Sequence, residues 1–540
     1  MKIAGIWSGH DCSYCVLEDG VPVVHDEYER FIREKEPVGD AGSFLFENYP
    51  EYEEIEHFAT CYPTSKMTNY AESYEKLYNI SKNNNGNIHA VGHHQSHAAN
   101  AFFSSNFKNA TILTLDGGGV EQNLQTTACT LWSGTDNKIQ NLAIFPMNTI
   151  NFGGVWTRVT RYVFGLQSGW PRGHQAGTVM AMAAFGNSDR FHDDFMKMLT
   201  IDNQIASHKP SGQPKGPNIG TDPDHPYLNR WANIANNSEQ DKFDLAAGLQ
   251  SATEALLKQL LESIMSQIET KNLCISGGVS LNSVMMGKIK EWFPNIEGIY
   301  IPPTPHDGGL TIGAAQYIWH QILDNPRIEW KDNFTPYLGK TYSLEEIEHH
   351  IAENSSKIEV TNTNDEDVAN LISSGNIVAV FGGGSESGRR ALGNRSILAD
   401  PRNPDMKDII NKKVKHRQWY RPFAPSILFE KTGEWFEKSE SSPYMQFVLQ
   451  FKEDMKEKVP AVVHHNGSAR LQTVTENDNQ WYYSFIKTWE NISGVPIILN
   501  TSFNDREPIC ENPGHAISCF LRTNIDYMYF YDAGKLIKKK

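Results

Sequence analysis

Hydrophobic positions recur along the first three hundred residues in short runs that glycines interrupt. Residues 13–27, "SYCVLEDGVPVVHDE", predict two strands joined by an Asp19-Gly20 turn, which is typical of a β-hairpin. A buried strand is predicted over residues 110–115, ending at the glycines that follow. Apolar positions at helical spacing predict a long helix over residues 244–269. Because strand, glycine turn and helix alternate, we expect an α/β fold with sites at the strand ends.

The composition shifts near residues 324–343, "DNPRIEWKDNFTPYLGKTYS", which we interpret as a domain boundary. A chain of 540 residues is too long for one hydrophobic core. After the shift, residues 365–375 predict a helix and residues 376–381 a strand, so a second α/β unit begins. No internal sequence repeat stands out. We predict domains over residues 1–340 and 341–540.

The overall charge limits the classes of partner. With 64 acidic and 49 basic residues, the net charge of −15 disfavours non-specific binding to nucleic acid or to an anionic membrane. No apolar run is long enough to cross a bilayer, and the first residues lack signal-peptide architecture. The seven cysteines stand mostly in apolar runs, which fits reduced thiols. We therefore expect a cytoplasmic protein without membrane partners.

Histidines cluster in "VGHHQSHAANAFF", residues 91–103. His93 and His97 are four apart, so on a helix they face the same side, whereas His94 points about 100° away. Such a pair alone is more often a surface or core contact than a metal site. Asp116 and Asp307, each at the end of a predicted strand beside glycines, strengthen the case. Two imidazoles and two carboxylates suit Fe(II), Mn(II) or Zn(II).

Three glycine turns each follow an apolar run, at residues 116–119, 276–282 and 306–309. Such turns let backbone N–H groups approach a phosphate or a nucleoside, although a single one is often only a tight turn. Three in one domain, after an N-terminal hairpin, resemble the actin and sugar-kinase (ASKHA) architecture, in which paired halves clamp a nucleotide. The predicted nucleotide-contacting positions are Gly117, Gly118, Gly277, Gly278 and Asn282.

A basic segment stands out in the second half of this acidic chain. Its cations are Arg389, Arg390, Arg395, Arg402, Lys412, Lys413, Lys415, Arg417 and Arg421. A solvated face normally has acids interleaved, and here they are few. Arginine and lysine beside glycine, asparagine and serine instead favour a pocket for phosphates. Further along, "SARLQTV" adds Arg470, and "PIILNTSFN" adds a polar strand end with Asn500 and Ser502.

Several longer strings, in order over nearly the whole chain, resemble the O-carbamoyltransferase family of antibiotic and nodulation-factor biosynthesis, typified by the tobramycin and cephamycin enzymes. The most specific strings are "HHQSHAANAF", "ALGNRSILADPR", "RPFAPSIL", "ARLQTV" and "GVPIILNTSFN". "GHD" at residues 9–11, followed by "DEYERFIREK", resembles the family's opening.

The resemblance implies an ASKHA-type domain with a metal site, followed by a YrdC-like α/β domain. Members use carbamoyl phosphate and ATP, with Mg2+, to form carbamoyl-adenylate in the second domain, and the carbamoyl group then passes to an acceptor hydroxyl in the first. When the motifs are matched one by one, the family's Fe2+ ligands fall on His93, His97, Asp116 and Asp307. His10 falls on a proposed catalytic base. The residues that fall in the family's pocket for carbamoyl phosphate and ATP are Arg390, Lys415, Arg421 and Arg470.

Two motifs depart from the family's pattern. The usual "QGRMEFGPRALGNRS" is here "GGGSESGRRALGNRS", so Gly382, Gly384 and Arg389 replace glutamine, arginine and proline. The usual "GEGKVMGLA" is here "HQAGTVMAMA", residues 174–183, in which Thr178 replaces lysine. The first change bears on phosphate binding and the second on the nucleotide and acceptor region.

The acceptor is expected to be a small-molecule hydroxyl, with a hydroxymethylated nucleotide or nucleic-acid base, or a threonylcarbamoyl-type tRNA modification, as alternatives. The acidic charge opposes long duplex contact but not a nucleotide or a flipped base. A non-enzymatic ATP-binding module would leave the basic segment unexplained. Residues 201–237, rich in proline, asparagine and glycine, are the predicted substrate-covering insertion.

Overall fold

The computed structural model describes residues 1–52, 54–61, 87–121, 125–146, 150–166, 175–199 and 226–540. It divides into two compact units, both mixed α/β. The first unit comprises Met1–Glu29 and Lys35–Trp330, and the second comprises Arg30–Glu34 and Lys331–Lys540. Within the described ranges, no helix is long and apolar enough to cross a membrane. Most of the predicted insertion lies outside the described residues.

Two five-stranded sheets form the centre of the first unit. The strands are β1 (Lys2–Trp7), β2 (Ser13–Glu18), β3 (Val21–Glu27), β4 (His57–Cys61), β5 (Asn87–Val91), β6 (Asn109–Val120), β7 (Thr126–Thr135), β8 (Lys138–Pro146), β9 (Asn272–Ser276) and β10 (Gly298–Tyr300). The helices are α1 (Glu29–Ile32, of which all but Glu29 is assigned to the second unit), α2 (Ala41–Asn48), α3 (His93–Phe103), α4 (Phe152–Arg158), α5 (Ala176–Ala183), α6 (His192–Leu199), α7 (Pro226–Ala235), α8 (Glu239–Met265), α9 (Ser283–Trp292) and α10 (Leu310–Tyr317).

The two sheets repeat one topology. Their strand orders are β3-β2-β1-β4-β5 and β8-β7-β6-β9-β10. In each sheet the first three strands are antiparallel neighbours, and the last two run parallel to the central strand. The sequence shows no such repeat, because a topology constrains the alternation of apolar positions and not the identity of the residues.

The predicted hairpin is confirmed. Strands β2 and β3 pair antiparallel across Asp19 and Gly20, whose φ angles of 48° and 86° are the positive values that a type I′ turn needs. The predicted strand end at residue 115 is wrong, since β6 continues to Val120 with a register shift between Leu115 and Gly119. Glycine tolerates this irregular stretch, so the strand passes through it. Helix α8 begins earlier than predicted, because Ser238 caps it and accepts from the Asp241 N–H.

Helices α3 and α10 pack closely in the core. A Cβ atom on Gly313 of α10 would lie 1.8 Å from the Ser96 carbonyl oxygen of α3. Only glycine permits this approach. Helix α3 is consequently held firmly against the middle of the unit, with His93 and His97 buried.

The second unit is built on a mixed eight-stranded sheet of order β11-β20-β19-β12-β13-β18-β14-β17, with β15 and β16 paired separately. Its strands are β11 (Ile358–Asn362), β12 (Val378–Phe381), β13 (Arg395–Ala399), β14 (Ala424–Leu428), β15 (Val448–Gln450), β16 (Ser468–Arg470), β17 (Gln472–Val474), β18 (Ile497–Ser502), β19 (Tyr527–Phe530) and β20 (Lys535–Lys539). Its helices are α11 (Leu344–Glu353), α12 (Asp365–Ser373), α13 (Met406–Lys413), α14 (Thr432–Trp435), α15 (Gln480–Ser493) and α16 (Pro513–Arg522). Helix α12 and strand β12 confirm the helix and the strand predicted over residues 365–375 and 376–381. They do not begin the unit as predicted, because α11 and β11 precede them.

Candidate functional site

In the first unit, the four predicted metal ligands lie together. One ligand atom from each of His93, His97, Asp116 and Asp307 falls within 4.8 Å of all the others. His93 Nε2 is 3.2 Å from Asp116 Oδ2, and His97 Nε2 is 3.5 Å from Asp307 Oδ1. The two histidines come from α3, Asp116 from the irregular part of β6, and Asp307 from the short 3-10 turn Asp307–Gly309. We name these four residues the His2Asp2 group.

Burial and the neighbouring charges shift the pKa values within the His2Asp2 group. Burial opposes ionisation of Asp116, but the hydrogen bond to His93 and the charges of both histidines hold the pKa of this carboxyl below its usual range. Burial lowers the pKa of His97, whose Nε2 has no hydrogen-bond partner among the described residues. A buried ring nitrogen that faces carboxylates fits a divalent cation. The group could therefore hold one of the metals that mixed nitrogen and oxygen ligands favour.

A carboxylate that sequence reasoning missed positions helix α3. Glu121, one residue past β6, accepts a 2.6 Å hydrogen bond at Oε1 from the His94 N–H, in the first turn of the helix. Its other oxygen fills the space where a Cβ on Gly92 would stand, at 2.2 Å. The negative charge complements the N-terminal end of the helix dipole. No local pattern links Glu121 to a helix that precedes it in the chain.

His94 lies apart from the His2Asp2 group, as its position on the helix predicts. Its Nδ1 is 2.6 Å from Thr114 Oγ1, and its Nε2 is 3.0 Å from the Thr127 carbonyl oxygen. A carbonyl can only accept, so Nε2 carries the proton. Burial holds the pKa of His94 well below its usual value. This ring is a neutral structural contact between α3 and the second sheet.

His10, the predicted base, stands at the edge of the group with 48% of its side chain exposed. Its Nε2 is 3.2 Å from Asp307 Oδ2, and its Nδ1 is 3.1 Å from Asp11 Oδ2. Burial of the ring lowers its pKa, but the Asp307 and Asp11 carboxylates outweigh that effect and raise it to about 10. His10 is therefore protonated at neutral pH while the charge of these carboxylates is uncompensated.

The glycine turns lie against the His2Asp2 group. The Gly278 N–H donates to Asp116 Oδ1 at 3.0 Å. Gly277 has a φ of 96°, and a Cβ there would lie 2.1 Å from the Leu115 carbonyl oxygen. Gly117 and Gly118 belong to the irregular part of β6. The four predicted glycines are thus next to Asp116 along the chain or in the adjoining turn.

Asn282 is engaged internally. Its Oδ1 accepts from the Met285 N–H at 3.2 Å, which caps α9, and its amide exchanges hydrogen bonds of 2.9 and 3.2 Å with Gln250. These contacts fix the turn that carries Gly277 and Gly278.

In the second unit, only part of the basic segment gathers in one place. Lys412 and Lys413 are exposed on α13. Arg402 forms a close ion pair with Asp400, with a shortest distance of 2.7 Å. Arg395 is fully buried and donates to backbone carbonyls such as that of Gly382, at 2.6 Å. Lys412 and Lys413 are therefore surface residues, whereas Arg402 and Arg395 stabilise the fold through these contacts.

Four further cations of the segment and Arg470 form what we name the cationic cluster: Arg390, Lys415, Arg417, Arg421 and Arg470. Burial lowers the pKa of all five, and Arg470 further lowers that of Arg390. The pKa of Arg470 falls to about 10 through burial and the charge of Arg421. Arg470 Nε is buried and has no hydrogen-bond partner in the described part of the chain. Mutually repelling, partly buried guanidinium groups are suited to a polyanion.

Lys415 is anchored by neutral groups at the end of β18. Its Nζ donates to the Asn504 Oδ1 at 2.8 Å, to the Asn504 carbonyl at 2.9 Å, and to both the carbonyl and the hydroxyl of Ser502. Arg390 donates to the carbonyls of Tyr444 and Met445. The predicted pocket residues Lys415 and Ser502 are therefore in direct contact.

The "ALGNRS" loop is held by one buried carboxylate. Glu386 Oε1 accepts from the N–H groups of Leu392, Asn394 and Arg395 at 2.8 to 3.1 Å. The nearby departure at Gly382 has a steric cause, because a Cβ there would lie 2.4 Å from the ring of Tyr531. The other departure, Thr178, is buried on α5, with its hydroxyl 3.4 Å from Gln175 Oε1.

Family models and known relatives match most of this chain. Residues 62–316 match the family model of the carbamoyltransferase N-terminus, and residues 369–537 that of the carbamoyltransferase C-terminus. The nodulation protein NolO of Bradyrhizobium diazoefficiens is 32% identical over 446 residues, covering 81% of this chain and 77% of NolO. The nodulation protein NolNO of Sinorhizobium fredii is 34% identical, covering 84% of this chain and 64% of NolNO. The crystal structure of HypF from T. kodakarensis shares 12% identity and a TM-score of 0.40, over 60% of this chain and 48% of HypF.

The chain belongs to the carbamoyltransferase family. It is an enzyme that transfers a carbamoyl group.

Proposed function

We propose that this carbamoyltransferase is an ATP-dependent O-carbamoyltransferase. It forms carbamoyl-adenylate from carbamoyl phosphate and ATP at the cationic cluster of the second unit. It transfers the carbamoyl group to an acceptor hydroxyl at the His2Asp2 group of the first. The observation that carries the proposal is the presence of two sites of different charge in separate compact units, one rich in carboxylates and one in partly buried guanidinium groups.

The first unit is proposed to be an ASKHA-type domain and the second a YrdC-like domain. The bounds of the two units differ from the predicted 1–340 and 341–540 by about ten residues at the boundary and by the segment Arg30–Glu34. The duplicated strand order of the first unit supports the ASKHA assignment, since actin and sugar kinases are built from paired halves. The eight-stranded mixed sheet of the second unit is a distinct α/β architecture.

Adenylation supplies the driving force that transfer to an alcohol needs. Water first cleaves carbamoyl phosphate to carbamate and inorganic phosphate. A carbamate oxygen then attacks the α-phosphorus of ATP, and pyrophosphate leaves. The charge that develops on the phosphates is stabilised by Lys415, Arg421 and Arg470. Mg2+ accompanies the phosphates of ATP.

In the first unit, His93, His97, Asp116 and Asp307 would hold Fe2+ or another divalent metal such as Mn2+ or Zn2+. When bound, such an ion polarises the carbamoyl carbonyl. His10 takes the proton of the acceptor hydroxyl at its ring nitrogen. This role requires compensation of the Asp307 charge, since the uncompensated carboxylate raises the pKa of His10 to about 10. Backbone N–H groups near Gly117, Gly118, Gly277 and Gly278 contact the nucleotide.

The acceptor is proposed to be a small-molecule hydroxyl. The test is mass spectrometry of a reaction that contains the intact protein, isotopically labelled carbamoyl phosphate, ATP and pooled candidate alcohols. We expect ATP-dependent gain of one carbamoyl group by an acceptor, together with pyrophosphate release. Carbamoyl transfer that proceeds equally well without ATP would overturn the adenylate route.

A further inference from the structure

A buried amide in the second unit keeps one oxygen without a partner. Asn500, in β18, is 1% exposed. Its Nδ2 donates to the Ala391 carbonyl at 3.1 Å, to Ser426 Oγ at 3.2 Å and to Gln472 Oε1 at 2.9 Å. Its Oδ1 is buried and has no hydrogen-bond partner among the residues that the structure describes.

The orientation of this amide is set by groups that can only accept. The Leu392 carbonyl accepts from Gln472 Nε2 at 2.9 Å, so the nitrogen of Gln472 must lie on that side. Gln472 therefore presents Oε1 to Asn500, where it also accepts from the Ser426 hydroxyl at 2.6 Å. Turning the Asn500 amide would place its oxygen against Gln472 Oε1 and the Ala391 carbonyl oxygen. The nitrogen consequently stays inside this network, and the oxygen faces away from it.

Asn500 is bonded to two chain segments that carry members of the cationic cluster. Ala391, which fixes Asn500, directly follows Arg390 in the chain. Gln472, the first residue of β17, stands two residues after Arg470, the last residue of β16. Arg470 in turn presents a buried Nε without a partner among the described residues. The region thus combines an unpaired donor, suited to an oxyanion, with an unpaired acceptor, suited to an N–H group.

A buried acceptor without a donor is unfavourable in the empty protein, and a ligand N–H that reaches it removes this cost. Among the groups of the donor substrate, the carbamoyl nitrogen carries N–H bonds next to the phosphate. An acetyl group has nearly the same shape but offers a methyl group at that position. A site that requires this hydrogen bond strongly rejects an analogue that lacks the N–H group. A site that discriminates by size alone would reject the analogue only weakly.

We propose that Asn500 Oδ1 accepts a hydrogen bond from the carbamoyl nitrogen of the donor and so selects carbamoyl phosphate over other acyl phosphates. This inference rests on the proposed adenylate formation in the second unit, and it assigns one atom to one group of the substrate. Ser426 and Gln472 act as positioning residues that hold the amide.

The test compares pyrophosphate release from ATP with carbamoyl phosphate and with acetyl phosphate, using the intact protein. Acetyl phosphate and water would give acetate and phosphate, and acetate with ATP would give acetyl-adenylate and pyrophosphate. Pyrophosphate release therefore measures the reaction of either donor. We expect the wild type to favour carbamoyl phosphate strongly in kcat/KM. Asn500→Leu, of similar size, and Asn500→Ala should lower this preference at least about tenfold by losing turnover of carbamoyl phosphate.

The matched control is Asn370→Ala, on the exposed face of α12, which should keep the wild-type preference. An unchanged preference in a folded Asn500 variant would overturn the inference, as would a wild type that uses acetyl phosphate equally well, a result that needs no variant. A change in the ATP-to-GTP ratio alone would assign the oxygen to the adenine amino group and would also overturn it. Arg470→Ala separates the two proposals, because retained pyrophosphate release there would contradict the proposed function itself.

Discussion

His10 Nε2 lies 3.2 Å from Oδ2 of Asp307, while Oδ1 of the same carboxylate lies 3.5 Å from His97 Nε2. One buried carboxylate therefore joins the half-exposed histidine to the interior of the His2Asp2 group. Whatever compensates the charge of Asp307 also sets the protonation state of His10. The proposed metal site and the proposed base are thus electrostatically linked.

Replacement of His97 by alanine should remove bound metal. The imidazole is fully buried and supplies one of four ligand atoms, so its loss leaves an incomplete site. We expect metal content measured by mass spectrometry to fall below half of the wild-type value, and carbamoyl transfer to fall by about 100-fold or more. His349→Ala, on the exposed side of α11, is the control. Full occupancy and full activity in a folded His97→Ala protein would refute the metal site.

The two sites should fail at different steps. Lys415→Ala and Arg470→Ala each remove a cation from the cationic cluster, so pyrophosphate release that depends on carbamoyl phosphate should be lost. His10→Ala should retain that release and lose only transfer, because His10 lies in the first unit. The measurement is pyrophosphate and carbamoylated product in the same reaction. A block of one common step by His10→Ala and Arg470→Ala would contradict this division.

The metal-free protein should lose stability as the pH rises from about 6.5 to 10. His10 has its folded-state pKa raised to about 10 by Asp307 and Asp11, against burial, while an unfolded histidine titrates near 6.5. A raised pKa contributes stability that is complete below the unfolded value and disappears as the pH passes the folded one. Thermal unfolding of the chelated protein should show this decline, and His10→Gln should flatten it. An identical pH profile in the variant would show that His10 is not the group responsible.

Glu121→Gln should weaken the start of helix α3. Glutamine keeps an oxygen for the His94 N–H but removes the negative charge at the N-terminus of the helix. We expect a loss of about 1 kcal/mol in the free energy of unfolding, measured with urea. Metal affinity should fall as well, since the helix presents both histidines. An exposed carboxylate away from the site, Glu353→Gln, serves as the comparison. Unchanged stability would mean that the carboxylate charge does not support α3.

The sequence determined the local features of this protein. Helical periodicity alone puts His93 and His97 on one side of a helix and turns His94 away from them. The Asp19-Gly20 pair determines the hairpin through its backbone preferences, and the composition shift after residue 323 indicates a second unit. Such features depend on neighbours in the chain, so they can be inferred without the fold.

Tertiary structure decided which side chains share a site. The basic segment contains Arg395 and Arg402 beside Arg390 and Arg421, but only packing shows that Arg395 donates to buried carbonyls and that Arg402 pairs with Asp400. Glu121 and the unpaired oxygen of Asn500 have no signature in the sequence. Their significance comes from groups distant in the chain, the start of α3 for one and the Gln472–Leu392 hydrogen bond for the other. Hydrogen bonding and burial act between neighbours in space, and only the folded chain defines those neighbours.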